Sequence, residues 1–217
     1  RGAVFRVAYS DEPTTIDRST FDQNSADASV GLAGALYLEF TTIAMKASTV
    51  SNNHAHYGGG LWIGHAAVAE IENVTFANNV ADQGGGIWIA GEVTGTIASS
   101  TLAGNDVTPG GYAPAIFGGD TNIALENCLV VGGGCKDAPI GGVGTNMQFP
   151  DSNAPCTDAI TTADPMLGAL MDNGGPTATM MPAPGSPAIG AGSDCPETDQ
   201  RGSPRPSACT LGAVEPP

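Results

Sequence analysis

Five segments of the chain repeat at a near-constant spacing, and a fixed period of this size restricts the fold more than any other feature of a sequence. Residues 16–21, 45–50, 71–76, 97–102 and 125–130 align, with their last residues 29, 26, 26 and 28 positions apart. The first column is large and apolar (Ile16, Met45, Ile71, Ile97, Leu125), and so is the last (Phe21, Val50, Phe76, Leu102, Val130). Two residues before the last stands a small column, Ser19, Ser48, Val74, Ser100 and Cys128. Side chains two apart share one face of a strand, and all three columns are predicted to point inward.

Three residues past the last apolar column, Asn recurs as Asn24, Asn53, Asn79 and Asn105, with Gly133 in the fifth copy. Asn tolerates left-handed backbone and its amide can bond neighbouring groups, so stacked copies predict a structural turn ladder. A second strand recurs at 35–38, 60–63, 86–89 and 115–118, and the glycines at 58–60 and 84–86 permit tight bends before it. Its Leu and Ile residues alternate inward. The same parity sends Tyr37, Trp62, Trp88 and Phe117 outward as a candidate ligand or partner face.

A unit of about 26 residues with two or three short strands cannot bury its own apolar face and must stack on its neighbours. The fold class read from this is all-β: a right-handed parallel β-helix of about five coils, ~4.8 Å apart, with a Pro/Gly-rich C-terminal tail packed on it. Leucine-rich repeats need a denser Leu consensus and helical segments, and antiparallel sandwich strands do not explain identical columns at a fixed period. The organisation reads as coils over 1–134, a Gly-rich excursion over 135–163 and a C-terminal region over 164–217. With 31 Gly, 16 Pro and 13% charged residues, the composition favours turns over solvated helices. Pro176, Pro182, Pro184, Pro187, Pro204 and Pro206 prevent the tail from forming ladder strands throughout. The tail is expected to run along the solenoid over an end or a flank, with residues 178–189 lying across the aromatic column.

Gly-Gly-Gly-Leu at 58–61, Gly-Gly-Gly-Ile at 84–87, and Phe-x-x-Asn at 21–24 and 76–79 resemble the repeats of polymorphic outer membrane proteins. Five stretches of the tail resemble the C-terminal region of bacterial choice-of-anchor Q proteins. They are Asp164-Pro165, Asp172-Asn173-Gly174-Gly175-Pro176-Thr177, Gly185-Ser186-Pro187-Ala188-Ile189, Thr198-Asp199-Gln200-Arg201-Gly202 and Gly212-Ala213-Val214-Glu215. The resemblance implies a right-handed β-helix on a bacterial surface or secreted protein, and it brings no catalytic residues. The N-terminal residues and 136–163 carry neither likeness.

The net charge is −15, and no Lys or Arg lies between positions 47 and 135. Nucleic acid finds no basic stripe for its phosphates, and an anionic membrane is repelled. No apolar run approaches the ~18 residues of a bilayer span, so direct membrane insertion is not expected. The abrupt termini, Arg1 and Glu215-Pro216-Pro217, read as those of a mature or clipped piece of a longer product. Five cysteines in an extracellular chain leave one unpaired when two bridges form. Cys135 with Cys156 and Cys195 with Cys209 are the favoured pairs, a Cys128 to Cys135 bridge staying open. Cys128, in the small inward column, reads as a buried free thiol.

Elimination on a uronate needs a cation and a base, and the central coils have no Lys or Arg. A hydrolase needs paired carboxylates, whereas Asp82, Glu92, Asp106 and Asp120 fall in turns with no evident pairing. Three residues past each ladder Asn lie Asp27, His56, Asp82 and Thr108, a register that sets His56 between two carboxylates about 4.8 Å away. No full metal-ligand set is visible around His54, His56 and His65, and no cofactor is expected. The function read from this is a non-catalytic cell-surface or secreted module, a structural scaffold or adhesin. The alternative is a carbohydrate-active enzyme or a glycan-binding module. Expected partners are a glycan, and a subunit or upstream segment covering the open edge of the N-terminal coil.

Overall fold

The computed structural model describes residues 3–27, 29–119, 121–137, 140–150, 154–158 and 160–217. Among them every regular element is a β-strand, and the strands stack in parallel into three long sheets. The first sheet holds Phe5–Ala8, Leu36–Glu39, Leu61–Gly64, Ile87–Ile89, Ile116–Gly118 and Cys135–Lys136. The second holds Thr14–Asp17, Thr42–Lys46, Val68–Glu72, Val93–Ala98, Thr121–Glu126 and Gly141–Val143. The third holds Thr20–Asp22, Thr49–Ser51, Thr75–Ala77, Thr101–Ala103, Leu129–Val131, Met147–Phe149 and Thr161–Thr162. The chain is a parallel β-helix.

Each repeat column is a register column. Ile16, Met45, Ile71, Ile97 and Leu125 pair in sequence along the second sheet, and Leu36, Leu61, Ile87 and Ile116 along the first. With Val50, Phe76, Leu102 and Val130 they fill one continuous core. Burying a Leu or Ile contributes about 1.5–3 kcal/mol, and here the cover comes from the adjacent coils, which is why the unit is the stack.

The repeat segment is not one strand, because it turns a corner in its middle. Arg18, Ala47, Asn73, Ser99 and Asn127 take φ between 44° and 53°, separating the second sheet from the third. Left-handed backbone costs a residue with a Cβ roughly 1–2 kcal/mol. Bonds between coils offset it. The N–H of Ser19 donates to Ser48 Oγ at 3.0 Å, that of Val74 to Ser100 Oγ at 3.1 Å and that of Cys128 to Asn146 Oδ1 at 2.9 Å. The small column is therefore an acceptor column as well as a packing one.

The next corner carries the Asn ladder, with one correction to its chemistry. The left-handed residues are Gln23, Asn52, Asn78 and Gly104, each directly before the ladder residue. The ladder Asn instead turns its amide inward. Asn24, Asn53 and Asn79 each donate Nδ2–H to the Oδ1 of the next Asn, at 2.9 Å in all three steps. The same three oxygens accept the backbone N–H of the coil behind, at 2.9 to 3.1 Å. Asn53, Asn79 and Asn105 use their second amide proton on Phe21 O, Val50 O and Phe76 O.

The tail lies on the outward face of the third sheet, and this overturns the expectation that residues 178–189 cross the aromatic column on the first. Thr49, Thr75 and Thr101 are register partners whose hydroxyls meet the tail. Gln200, 1% exposed, donates from Nε2 to Thr49 Oγ1 and Thr177 Oγ1 and accepts from Thr75 Oγ1. Ala213 N–H donates to Thr101 Oγ1 at 3.0 Å, and Ala188 and Leu211 pack on Leu129 and Met147 further along. The buried Asp199 carboxylate gathers the N–H groups of Arg201, Ser203 and Glu215 together with Arg201 Nε. Charge-assisted bonds of this kind are about twice as strong as neutral ones.

Disulfides join Cys135 to Cys156 and Cys195 to Cys209. Cys128 is free and fully buried, and burial pushes its thiol up to about 12. Since the thiolate is the reactive form, native protein is expected to resist alkylation at neutral pH, whereas unfolding without reductant exposes one reactive cysteine per chain. Mass spectrometry after labelling checks this. Rapid native labelling of Cys128 would contradict it.

Candidate functional site

Strand alternation on the first sheet places Leu36, Leu38, Leu61, Ile63, Ile87 and Ile89 in the core and their neighbours on the outer face. Tyr37, Trp62, Trp88 and Phe117 are register partners there. Their rings stack at 4.4, 5.5 and 5.4 Å between centroids, with interplanar angles of 3°, 12° and 15°. Tyr37 and Trp62 are 2% and 3% exposed. What covers them is local: Ala33 and Ala90, with Ala3, Leu32, Tyr57 and Trp88, form a second apolar cluster separate from the core. The indole N–H groups of Trp62 and Trp88 are buried without an acceptor among the described residues.

A cation stands in register beyond each end of the aromatic column, Arg6 beside Tyr37 and Lys136 beside Phe117. Arg6 lies over the Tyr37 ring at 5.1 Å, and Lys136 over the neighbouring Tyr112 ring at 3.9 Å. Buried Glu39 accepts from Tyr37 Oη at 2.7 Å and Arg6 Nη2 at 3.0 Å. Sequence reasoning overlooked Arg6, Glu39 and the flanking Tyr57 and Tyr112. The signal for Arg6 was present, since Phe5-Arg6-Val7 repeats the alternation of Leu36-Tyr37-Leu38.

Beside this face lies a groove of about 270 Å³ lined by His56, Asp82, Gln83, Thr108 and Tyr112, with the strand residues 109–111. Asp82 and Asp106 are in strands here, not in turns, because Val80–Gln83 pairs with Asp106–Tyr112 in a short fourth sheet. His56 Nδ1 is 2.6 Å from Asp82 Oδ2, and the Thr108 hydroxyl donates to Asp82 Oδ1. That hydroxyl, with His56 behind it, holds the Asp82 carboxyl below its usual range. Asp27 does not join the column. Its carboxylate accepts from Ser29, and Gly31 O takes the His56 and Tyr57 N–H groups in its place. Asp120 lies outside the described residues. Glu92 sits in a bend at φ 64° and does not line the groove, whose only carboxylate among the described residues is Asp82. No group of three or more His, Cys, Asp or Glu among the described residues could hold a metal ion.

Residues 73–90 run from one corner through the strand Thr75–Ala77, ladder Asn79 and the glycine bend to the strand Ile87–Ile89. This stretch is similar to a known repeat. It matches the Chlamydia polymorphic membrane protein repeat, and the match holds both Phe76-x-x-Asn79 and the glycines before Ile87. No curated protein and no solved structure matches the chain. The matched segment contains one rung of the turn ladder, Asn79, together with Trp88, so the likeness falls on the structural logic of the coil. No helix among the described residues is long and apolar enough to cross a membrane.

Proposed function

We propose that this chain is a non-catalytic β-helical scaffold of a bacterial surface or secreted protein, whose side faces serve adhesion. The observation that carries the reading is where the buried polar side chains are spent. Asn53, Asn79, Ser48 and Ser100 bond one coil to the next, Gln200 bonds the tail to the coils, and Asp199 bonds the tail to itself. The similarity to a polymorphic membrane protein repeat supports the surface assignment. The tail motifs that resemble choice-of-anchor Q proteins supply Gln200, which bonds the third sheet, and Asp199 and Arg201, which hold the tail's own turns together, and we read that region as a module of that kind. Its role is then to close a flank of the solenoid.

The groove at His56 and Asp82 offers a single carboxylate, short of the pair that glycoside hydrolysis uses. Incubation with a panel of polysaccharides is expected to yield retention of the protein on some of them without new reducing ends or unsaturated products. Product release that disappears in Asp82→Ala would overturn the non-catalytic reading. Absence of retention on every polymer and on cell surfaces would overturn adhesion while leaving the scaffold.

A further inference from the structure

The polar side chains of the turn ladder are spent on the coils themselves, whereas several around the groove at His56 are not. Gln83, Tyr57 and Tyr112 are half-buried, and among the described residues their side chains make no hydrogen bond. His56 presents Nδ1 to Asp82 Oδ2 at 2.6 Å, and with the proton on that nitrogen the neutral ring keeps Nε2 as an acceptor. The Asp82 carboxylate accepts from Thr108 and His56, and its roughly four lone-pair sites leave room for a further donor.

An insertion builds this groove. From ladder Asn105 to Ile116 the chain is three residues longer than from Asn79 to Ile87, its counterpart in the preceding coil. Register pairs Ala81 with Val107 and Gln83 with Tyr112, so Asp82 alone faces the residues from Thr108 to Gly111. A bulge of this kind bends the strand and re-aims its side chains. Gly111 is pressed on the preceding coil, where a Cβ would collide with Asp82 O, whereas Gly110, at φ 91°, has open space around it. Tyr57, Gln83 and Tyr112 are successive register partners, which sets the unbonded amide on the coil between two phenols.

We propose that this groove holds one uncharged sugar residue of a surface glycan, with Asp82, Gln83 and His56 bonding its hydroxyls. The proposal rests on the adhesive reading and gives it a site. Sugar hydroxyls both donate and accept, and the set here is mixed in the same way: Asp82 and His56 Nε2 accept, and the Gln83 amide does both. A hydroxyl that donates to a carboxylate makes a charge-assisted bond, and Thr108 and His56 fix that carboxylate in advance, which lowers the ordering cost of binding. At about 270 Å³ the groove falls below the ~300–1,000 Å³ of sites for drug-sized ligands, a size that suits a single ring. No Lys or Arg lines it, and the chain carries a net charge of −15, so an anionic sugar polymer is disfavoured. The strand Val80–Gln83 is bonded on both sides, to Asp106–Tyr112 and to His54 and Tyr57, and a peptide has no backbone edge of that strand to join.

The test passes the protein over immobilised dextran, mannan, galactan and xylan, with polygalacturonate as the anionic arm, and elutes with each polymer's own monosaccharide. Retention on at least one neutral polymer is expected, reversed by its sugar and insensitive to salt. Gln83→Ala is expected to weaken it about fivefold or more with an unchanged urea midpoint, and Asp82→Asn, which keeps the shape of the side chain, about tenfold or more. Trp62→Phe, on the neighbouring column, is expected to leave it unchanged. Retention on a neutral polymer that both groove variants keep in full overturns the site and leaves adhesion standing. Retention confined to polygalacturonate, or to protease-sensitive cell surfaces, assigns the face to an anionic polymer or a protein and overturns it too. No retention on any polymer or cell surface overturns the adhesive reading itself, and the site falls with it.

Discussion

Asn79→Ala is expected to destabilise the protein by about 3–5 kcal/mol, among the largest effects of any single polar substitution in the chain. The side chain is 0% exposed, accepts from Asn53 N–H and Nδ2–H, and donates to Asn105 Oδ1 and Val50 O. Alanine removes all four bonds and leaves their partners inside a dry core. Each buried group so stranded costs about 1–3 kcal/mol, and partial relaxation keeps the sum below the simple total. Asn24→Ala is the comparator. That residue is half-buried and its side chain bonds Asn53 alone, so its loss is expected to cost about 1 kcal/mol. Urea denaturation followed by circular dichroism measures both. Equal midpoints for the two variants would show that the ladder is not what holds adjacent coils in register.

The columns were legible in the sequence because stacking gives every copy of a position the same surroundings. Ile16, Met45 and Ile71 therefore vary only within the large apolar class, and Asn53, Asn79 and Asn105 do not vary at all. The corner at Arg18, Ala47, Asn73, Ser99 and Asn127 was not legible, since four residue types share its five positions. Its strain is offset by a bond from the next coil rather than by the choice of side chain. The column at Asp27, His56, Asp82 and Thr108 was half legible. The first interval is 29 residues where the next is 26, and the additional length falls in the loop that carries Asp27 off to Ser29.

Which outward face the tail would cover was the least legible feature. Thr49, Thr75 and Thr101 read as ordinary solvent-facing strand residues until Gln200 and Ala213 are brought against them. The aromatic column looked the better candidate on hydrophobicity alone. Burial does not choose between apolar faces by hydrophobicity, however, when one of them can cover itself. Stacked rings at coil spacing, flanked by Tyr57, Leu32 and Ala33, already exclude most water from Tyr37 and Trp62. The tail's amide and backbone donors need acceptors, and the Thr column offers them. Polar satisfaction thus decided the docking, and a Thr column at fixed register was its one sequence signal.

Trp62→Ala is expected to cost about 3–5 kcal/mol, comparable with removing an aromatic from an ordinary core although the ring points outward. Trp62 lies between Tyr37 at 4.4 Å and Trp88 at 5.5 Å, so truncation opens a gap in the middle of the stack and strips one face from each neighbour. Both faces of the indole are occupied at these distances, and a sugar ring, which docks on an aromatic face, has no room between them. A glycan contact along this column is therefore restricted to ring edges, and the column acts first as a second core. Trp62→Phe separates the contributions. It keeps a stacked ring and deletes the indole N–H that has no acceptor among the described residues, so it is expected to recover more than half of the lost stability. Melting temperatures are expected to fall by about 6–20 °C for Ala, from about 2–4 °C per kcal/mol in a chain of this size. A loss below about 1 kcal/mol for Trp62→Ala, with ligand retention abolished, would reverse the assignment and make the column a docking platform.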